Sequence, residues 1–142
     1  MKMTTKGKYG LRAMIDLAVN DGDTQYIPLN HISARQQISE PYLERLMAKM
    51  RKADLVVTHR GTQGGYKLAR PIDQISVRDI LKAVDEPMNL TDCVDGEDGQ
   101  CMAKRCCPSR LVWQKMSESI NEVARSMTLQ SLIYGDGGLD DE

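Results

Sequence analysis

Four cysteines, the residues of this chain best suited to metal or redox chemistry, all lie in one short stretch. They are Cys93, Cys101, Cys106 and Cys107, in a segment rich in Gly and Asp, and the 142-residue chain has no others. Clustered thiolates bind iron–sulfur clusters or zinc, although the two C-x2-C pairs of a zinc ribbon are missing. Adjacent Cys106 and Cys107 would need a strained geometry to bind one ion together. The spacing therefore predicts three thiolate ligands and one spare cysteine.

The composition restricts the class of protein. No apolar run approaches the roughly 18 residues of a membrane span, and the N-terminus lacks the apolar stretch of a signal peptide. We therefore expect a cytoplasmic protein without a membrane partner, in which clustered cysteines serve metals or redox chemistry more often than disulfides. Residues 1–70 carry 12 Lys/Arg against 6 Asp/Glu, whereas residues 71–142 carry 7 against 14. The basic first half favours binding of a polyanion such as DNA.

Hydrophobic periodicity predicts a mainly α fold with a small β-hairpin. Helices are predicted over 6–20 and 29–37, and in the first Leu11, Ile15 and Ala18 recur at helical spacing with Met14 and Leu17 beside them. A third begins after Ser39, a plausible N-cap residue. The stretch "LVVTHRGTQGGYKLAR" then indicates strand, Gly-rich turn and strand. A hairpin directly after two short, closely joined helices is typical of a winged helix-turn-helix domain.

The second half of the chain predicts a helix, the cysteine loop and a long final helix. In the helix of "ISVRDILKAVDEP", Ser76 and Asp79 have capping-box spacing. The final helix starts at Pro108, and its apolar residues step by three and four, which favours a dimer seam over packing on its own domain; these are Trp113, Met116, Ile120, Val123 and Met127. We divide the chain into a winged-helix DNA-binding domain (1–86), a cysteine-rich loop (87–107), a dimerisation helix (108–134) and an acidic tail with predicted disorder (135–142).

Several motifs together resemble a known family. "TTKGKYGLRAMIDLA", "YLERL", "RGTQGGY", "ISVRDILKAVDE" and three spaced cysteines before a Trp-bearing helix are similar to the IscR-type iron–sulfur-sensing winged-helix transcription regulators, which include NsrR. The resemblance covers nearly the whole chain. It implies a homodimer that binds double-stranded DNA at a palindromic promoter site. It also implies a cluster supplied by the iron–sulfur assembly machinery, whose state sets DNA binding.

The resemblance also implies the ligands of the cluster. The three ligand cysteines of the family match Cys93, Cys101 and Cys107, because the family places its last cysteine six residues before the Trp at position 113. The family's fourth ligand has no counterpart: Arg110 stands where IscR has His, and Arg cannot ligate a metal. Cys106 is the candidate fourth ligand, beside a loop carboxylate, a water or an external thiol. We favour [2Fe–2S] over [4Fe–4S].

The predicted DNA contacts lie on the third helix and the wing. The resemblance places Ser39, Tyr42 and Glu44 near base edges or phosphates, and a carboxylate at position 44 can accept from cytosine N4. Packing of Tyr42 on the wing, and a solvated Glu44 paired with a neighbouring cation, remain the alternatives. Wing arginines enter the minor groove, so Arg60 is the strongest single candidate. Gln63 and the amide of Gly64 are expected to hold the DNA backbone.

The four cysteines and the winged-helix domain are also compatible with other functions. A thiol-redox-sensing winged-helix regulator without a cluster is the main alternative, and a zinc-stabilised loop is another. A small cysteine-centred enzyme or cluster-delivery scaffold is disfavoured by the basic half and the wing, and no general base or phosphate-binding motif accompanies the cysteines. We therefore expect a regulator, which senses cluster supply, iron, oxygen or nitric oxide, and no enzyme.

Overall fold

A computed structural model describes residues 2–62, 64–90 and 108–135 of the chain. Over these ranges it contains six helices and one two-stranded antiparallel sheet. The predicted mainly α fold with a hairpin wing is confirmed. In chain order the elements are α1 (Thr5–Val19), α2 (Leu29–Gln36), α3 (Glu40–Lys52), β1 (Val56–His59), β2 (Gly65–Leu68), α4 (Val77–Ala83), α5 (Pro108–Ser126) and α6 (Leu129–Tyr134).

The core lies between α1, α3, α4 and the hairpin. Met14, Leu17, Leu43, Met47 and Met50 are all inaccessible to solvent. Their spacing of three and four residues puts them on one face of each helix, so burial follows from periodicity. Of the apolar residues predicted at helical spacing in α1, Met14 and Leu17 are fully buried, whereas Leu11, Ile15 and Ala18 are only partly buried.

The buried face of α1 also contains a glycine that allows close packing. A Cβ atom at Gly10 would lie 3.1 Å from Met50 Cε and 3.2 Å from Val84 Cγ1. Those distances are tighter than ordinary van der Waals contact, so the backbone of α1 approaches α3 and the end of α4 at this point. Periodicity counts apolar side chains and therefore did not predict a packing face centred on a glycine.

The wing forms directly after α3. Val56 pairs with Leu68 and His59 pairs with Gly65 in the antiparallel register. Val56 and Leu68 are buried in the core, whereas the turn end of the hairpin is exposed. An isolated bridge between Ile27 and Tyr66 adds a third segment to the sheet edge. The hairpin is thus anchored at its open end and projects its turn into solvent.

The predicted capping box of α4 is confirmed. Ser76 Oγ accepts from the Asp79 amide, and the Asp79 carboxylate accepts from the Ser76 amide, both at 3.0 Å. The backbone of Ser76 also forms an antiparallel bridge with Thr128, which lies just before α6. The start of α4 is therefore held by its own cap and by the C-terminal part of the chain.

The two C-terminal helices pack differently. Helix α5 lies against α4, and its buried residues are the small Ser117 and Ala124. Helix α6 returns to the winged-helix core, where Leu129 is fully buried and its amide donates to Ile75 O at 3.0 Å. None of the helices in the described ranges combines the length and the apolar character that a membrane span requires.

Candidate DNA-binding surface and cysteine segment

The N-terminus of α3 presents the first group of predicted DNA contacts. Ser39 caps the helix, although its Oγ is 3.4 Å from the Tyr42 amide, which is a long hydrogen bond. Glu44 is exposed and Tyr42 is half-buried. The Tyr42 ring packs against Tyr9 of α1, with 6.0 Å between the ring centroids. The structure thus groups Ser39, Tyr42 and Glu44 within the first two turns of one helix.

Two cations near Glu44 on α3, Arg45 and Lys49, have other partners. Lys49 Nζ lies 2.8 Å from the Asp85 carboxylate, and this hydrogen bond lowers the pKa of Asp85. The Arg45 guanidinium lies over the Tyr42 ring, 5.6 Å from its centroid. The carboxylate of Glu44 is therefore available to a group outside the chain, as base recognition requires.

The turn of the wing presents the second group. Arg60 is exposed, and Gln63 lies outside the described residues. Gly64 is buried inside the turn, and its amide donates to Gly61 O at 3.1 Å. A side chain at Gly64 would collide with His59 O. The missing side chain at Gly64 therefore lets the turn close on its own backbone, and the amide expected to hold the DNA backbone already donates within the turn.

A cluster of two aromatic rings and one cation lies beside the strands of the wing. The His59 and Tyr26 rings have centroids 5.4 Å apart, and Lys67 Nζ lies 5.3 Å from the Tyr26 centroid. The sequence did not predict a role for Tyr26 on this surface, because Tyr26 lies 33 positions from His59 in the chain. His31, by contrast, is simply exposed on α2. The cluster keeps one cationic side chain against the outer face of the wing.

Arg70, which follows β2, contacts its own domain. Its Nη2 donates to Ala53 O at 3.4 Å, and its Nη1 lies 3.7 Å from the Asp79 carboxylate. These contacts join the end of α3 to the start of α4. The guanidinium is thereby occupied by groups of the domain itself.

A buried carboxylate fixes α2 against α1. Asp16 is 4% exposed, and both of its oxygens accept from Arg35, with the closest contact at 2.7 Å. Gln36 Nε2 also donates to Asp16, at 2.9 Å. The hydrogen bonds from Arg35 to Asp16 raise the pKa of the guanidinium. Such bidentate pairs are geometrically specific, so this pair sets the position from which the chain turns into α3.

All four cysteines lie in residues 91–107, outside the described residues. The structure describes both flanks of this segment. On one side the Leu90 amide donates to Ser117 Oγ of α5 at 3.0 Å. On the other side α5 begins at Pro108. A groove of about 780 Å³ between α4 and α5 is lined at one end by Met88 and Asn89, which precede the segment.

No group of three His, Cys, Asp or Glu side chains within residues 2–62, 64–90 and 108–135 is arranged to hold a metal ion. The cysteines expected to bind metal lie outside these ranges. Four thiolates, three of them well separated in sequence, match the donor set that iron–sulfur clusters use. The donor chemistry of the cysteine segment therefore fits the implied cofactor.

Helix α5 carries an uncovered apolar arc next to its packed face. Val112, Met116 and Val123 are 48%, 47% and 58% exposed. Three further apolar residues of this arc are only partly buried, namely Trp113, Ile120 and Met127. None of the five residues of the predicted seam is fully buried within one chain. A surface of this kind marks a protein interface.

The exposed N-terminal turn of α3, the second helix of the helix-turn-helix pair, and the exposed wing turn are typical of DNA-binding regulators. The family model of Rrf2, described as an iron-dependent transcriptional regulator, matches residues 3–135. The chain belongs to this family and is a DNA-binding transcriptional regulator of the IscR type.

Individual relatives agree along the whole chain. The HTH-type transcriptional regulator IscR of Sodalis glossinidius is 40% identical over 140 residues, which are 99% of this chain and 83% of that protein. The solved structure of T. potens IscR matches with a TM-score of 0.76 and 37% identity, covering 100% of this chain and 93% of that one. CymR, the global cysteine regulator of B. subtilis, matches with a TM-score of 0.75 and 33% identity over 95% and 98% of the two chains.

Proposed function

We propose that the chain forms a homodimeric regulator whose cysteine segment holds an iron–sulfur cluster and thereby controls DNA binding. The observation that carries this proposal is the position of the segment. It joins α4, which packs against α1 and α3 of the DNA-binding domain, to α5, which bears the uncovered apolar arc. A change in the segment can therefore act on α3, which we call the reading helix, and on α5, the proposed dimer helix, together.

In this proposal Cys93, Cys101 and Cys107 hold the cluster, and Cys106 is the candidate fourth ligand. A bound cluster would supply a centre that reacts with oxygen or nitric oxide and that is lost when cluster supply or iron fails. The thiolates bind and orient it, while the Leu90–Ser117 contact holds one flank of the segment. We favour [2Fe–2S], delivered by the iron–sulfur assembly machinery, and a cytoplasmic location.

DNA recognition is assigned to α3 and the wing turn. Ser39, Tyr42 and Glu44 face the major groove, since the N-terminal turn of the second helix enters it in such folds. Arg60 enters the minor groove, where negative potential is concentrated. Gln63 is assigned to the phosphate backbone, whereas Gly64, whose amide donates to Gly61 O, shapes the turn that carries it. The exposure of Glu44 and Arg60 supports this assignment.

Dimerisation is assigned to the apolar arc of α5, with a second copy of the chain as its occupant. Two copies bring two reading helices to one duplex, and a two-fold protein reads a palindromic site. The three most exposed members of the arc, Val112, Met116 and Val123, lie along one side of the helix. Their contact with the same arc of the partner would remove this surface from water.

The decisive test compares two adjacent cysteines. Protein purified without oxygen is expected to be brown and to contain iron and acid-labile sulfide in comparable amounts. The variant Cys107→Ala is expected to lose the visible absorption, as are Cys93→Ala and Cys101→Ala, because each removes a thiolate ligand. Cys106→Ala is the matched control and is expected to keep iron and to change only the band shape or cluster lifetime.

The outcomes separate the candidate functions. A colourless protein without iron after anaerobic reconstitution would contradict the cluster proposal. Loss of colour in Cys106→Ala with retention in Cys107→Ala would reverse the assignment of the third ligand. Zinc in place of iron would indicate a structural loop.

A thiol sensor without a cluster is the second candidate. The similarity to the global cysteine regulator CymR supports it, since that relative shares the fold at 33% identity. Under this candidate the metal-free protein binds DNA, and an oxidant changes its affinity reversibly through a pair such as Cys106 and Cys107. Insensitivity of DNA binding to oxidant in the metal-free protein would exclude it.

A further inference from the structure

A ladder of two aromatic rings and two guanidinium groups connects α1 to the reading helix. The rings of Tyr9 and Tyr42 meet edge to face, with 78° between their planes. Arg12 lies over the Tyr9 ring, 5.1 Å from its centroid, and Arg45 lies over the Tyr42 ring at 5.6 Å. Both arginines are exposed, and both tyrosines are half-buried.

Hydrogen bonds fix the α1 end of this ladder. Arg12 Nη2 donates to Gln36 O at 2.6 Å, and Arg12 Nε donates to Gln36 Oε1 at 3.2 Å. Gln36 in turn donates to the buried carboxylate of Asp16. The guanidinium above Tyr9 is therefore held at two points by the end of α2, just before the chain turns into α3.

We infer that Tyr9, held by Arg12, is a positioning residue that sets the side-chain orientation of Tyr42 for DNA reading without touching DNA itself. Edge-to-face rings prefer a narrow set of relative orientations. The Tyr9 ring therefore restricts the rotamers available to Tyr42, and Tyr42 in turn carries the guanidinium of Arg45. This inference rests on the proposed role of α3 in recognition.

The ladder affects the side-chain orientation of Tyr42 more than it affects the fold of α3. Helix α3 is already anchored by Leu43, Leu46, Met47 and Met50, each at most 3% exposed. Those four side chains face the core, whereas Tyr42 lies at its margin. The loss of the Tyr9 ring therefore leaves the helix in place and frees one side chain on its DNA-facing end.

The expected effect is a loss of discrimination. Without the Tyr9 ring, the freed Tyr42 side chain must be ordered when DNA binds, which corresponds to about a three- to tenfold loss of affinity. The loss falls on sequence-specific binding, which uses the oriented Tyr42. Non-specific binding depends on phosphate charge, and Tyr9 carries none, so it stays unchanged.

The test uses the full-length protein and a duplex that the wild-type protein selects from random-sequence DNA. We expect Tyr9→Leu to lower affinity for this duplex about three- to tenfold. Affinity for a random duplex of equal length and the slope of log affinity against log salt should not change. Tyr9→Phe keeps the ring and should restore wild-type binding. In a Tyr42→Leu background, Tyr9→Leu should cost less than about twofold, because coupled residues are not additive.

Arg12→Lys provides a second variant on the surface of the domain. It keeps the charge but loses the planar stacking and the two-point hydrogen bonding, so specific affinity should fall about twofold with an unchanged salt slope. Arg51→Lys, at an exposed position near the end of the same reading helix, is its matched control and should bind like wild type.

Each outcome has a distinct meaning. Additive effects of Tyr9→Leu and Tyr42→Leu, or equal losses on specific and random duplexes, would overturn the inference. A salt slope lowered by about one for Arg12→Gln, which removes the charge, would instead make Arg12 a direct phosphate contact. Failure of the wild-type protein to select any duplex would overturn the proposed recognition by α3 and this inference with it, whereas wild-type selection with an unaffected Tyr9→Leu would overturn the inference alone.

Discussion

Glu86, like Asp16, is a buried carboxylate, and it is only 5% exposed. It accepts hydrogen bonds from the amide of Thr4, at 3.1 Å, and from the Thr4 hydroxyl. Thr4 is the N-cap residue of α1, where the helix dipole favours negative charge. The carboxylate thus attaches the start of α1 to the segment that leaves α4 toward the cysteines.

Gly7 makes room for this carboxylate. Replacing Gly7 with alanine is therefore expected to destabilise the protein, although such a substitution in a helix usually stabilises it. Alanine in place of a mid-helix glycine usually stabilises a helix by roughly 0.5–1 kcal/mol. Here the new Cβ would collide with Glu86 Oε1. We expect Gly7→Ala to lower the free energy of unfolding by about 1–3 kcal/mol, as measured by urea denaturation.

The control is the same substitution in a Glu86→Ala background. With the carboxylate removed, Gly7→Ala should be neutral or stabilising, because the main obstacle to the Cβ is gone. Destabilisation of equal size in both backgrounds would show that the clash with Glu86 is not the cause.

The residue contacts that the sequence predicted are local ones. Ser76 and Asp79 are three positions apart, and their capping box could be predicted from spacing. Asp16 and Arg35 are 19 positions apart, and Thr4 and Glu86 are 82 apart. Such pairs depend on how helices pack, which no short spacing encodes, so the polar network under α1 was not foreseen.

At the scale of elements, α5 separates two kinds of surface. Small Ser117 and Ala124 face its own domain, and the larger apolar side chains remain uncovered. The steps of three and four predicted the apolar seam, but not that the covered face would consist of small residues. Periodicity identifies where apolar side chains lie and does not identify which neighbour covers them.

A charge in the apolar arc should separate the subunits. We expect Val123→Glu to shift the protein from dimer to monomer in light scattering, because burying an unpaired carboxylate in an apolar contact is costly. Val123 is 58% exposed in the single chain, so the circular dichroism spectrum of the helices should be retained.

Lys115→Glu is the matched control, since Lys115 is exposed on the same helix but outside the arc. It changes charge without entering the proposed contact and should remain dimeric. A dimer in both variants would place the subunit interface elsewhere on the molecule.

For the whole molecule, the proposed arrangement is two basic reading domains joined by a shared helical contact. Recognition domains of a two-fold dimer reach half-sites about one helical turn apart, ~34 Å. The fold of each half was predictable from its order of helices and strands. The distance between halves was not, because it depends on the angle at which two copies meet.

The spacing of half-sites tests this arrangement directly. Inserting about 5 base pairs between the half-sites of a selected duplex turns one half-site to the opposite face of the DNA, since a turn is about 10.5 base pairs. We expect affinity to fall to the non-specific level, measured by fluorescence anisotropy. Adding the same 5 base pairs outside the two half-sites is the control and should leave affinity unchanged, and equal affinity for the spaced site would argue for binding as independent monomers.

The burial of Leu129 also has a consequence for the order of synthesis. Leu129 fills the core of the winged-helix domain, and it follows the cysteine segment and α5 in the chain. At about 5–20 residues per second, the ribosome needs about 2–8 s to pass from position 90 to position 129. The core of the DNA-binding domain is therefore completed only after the cysteines have been made. A nascent chain that ends before α6 still lacks part of that core. A completely folded DNA-binding domain therefore always has the cysteine segment in the same chain.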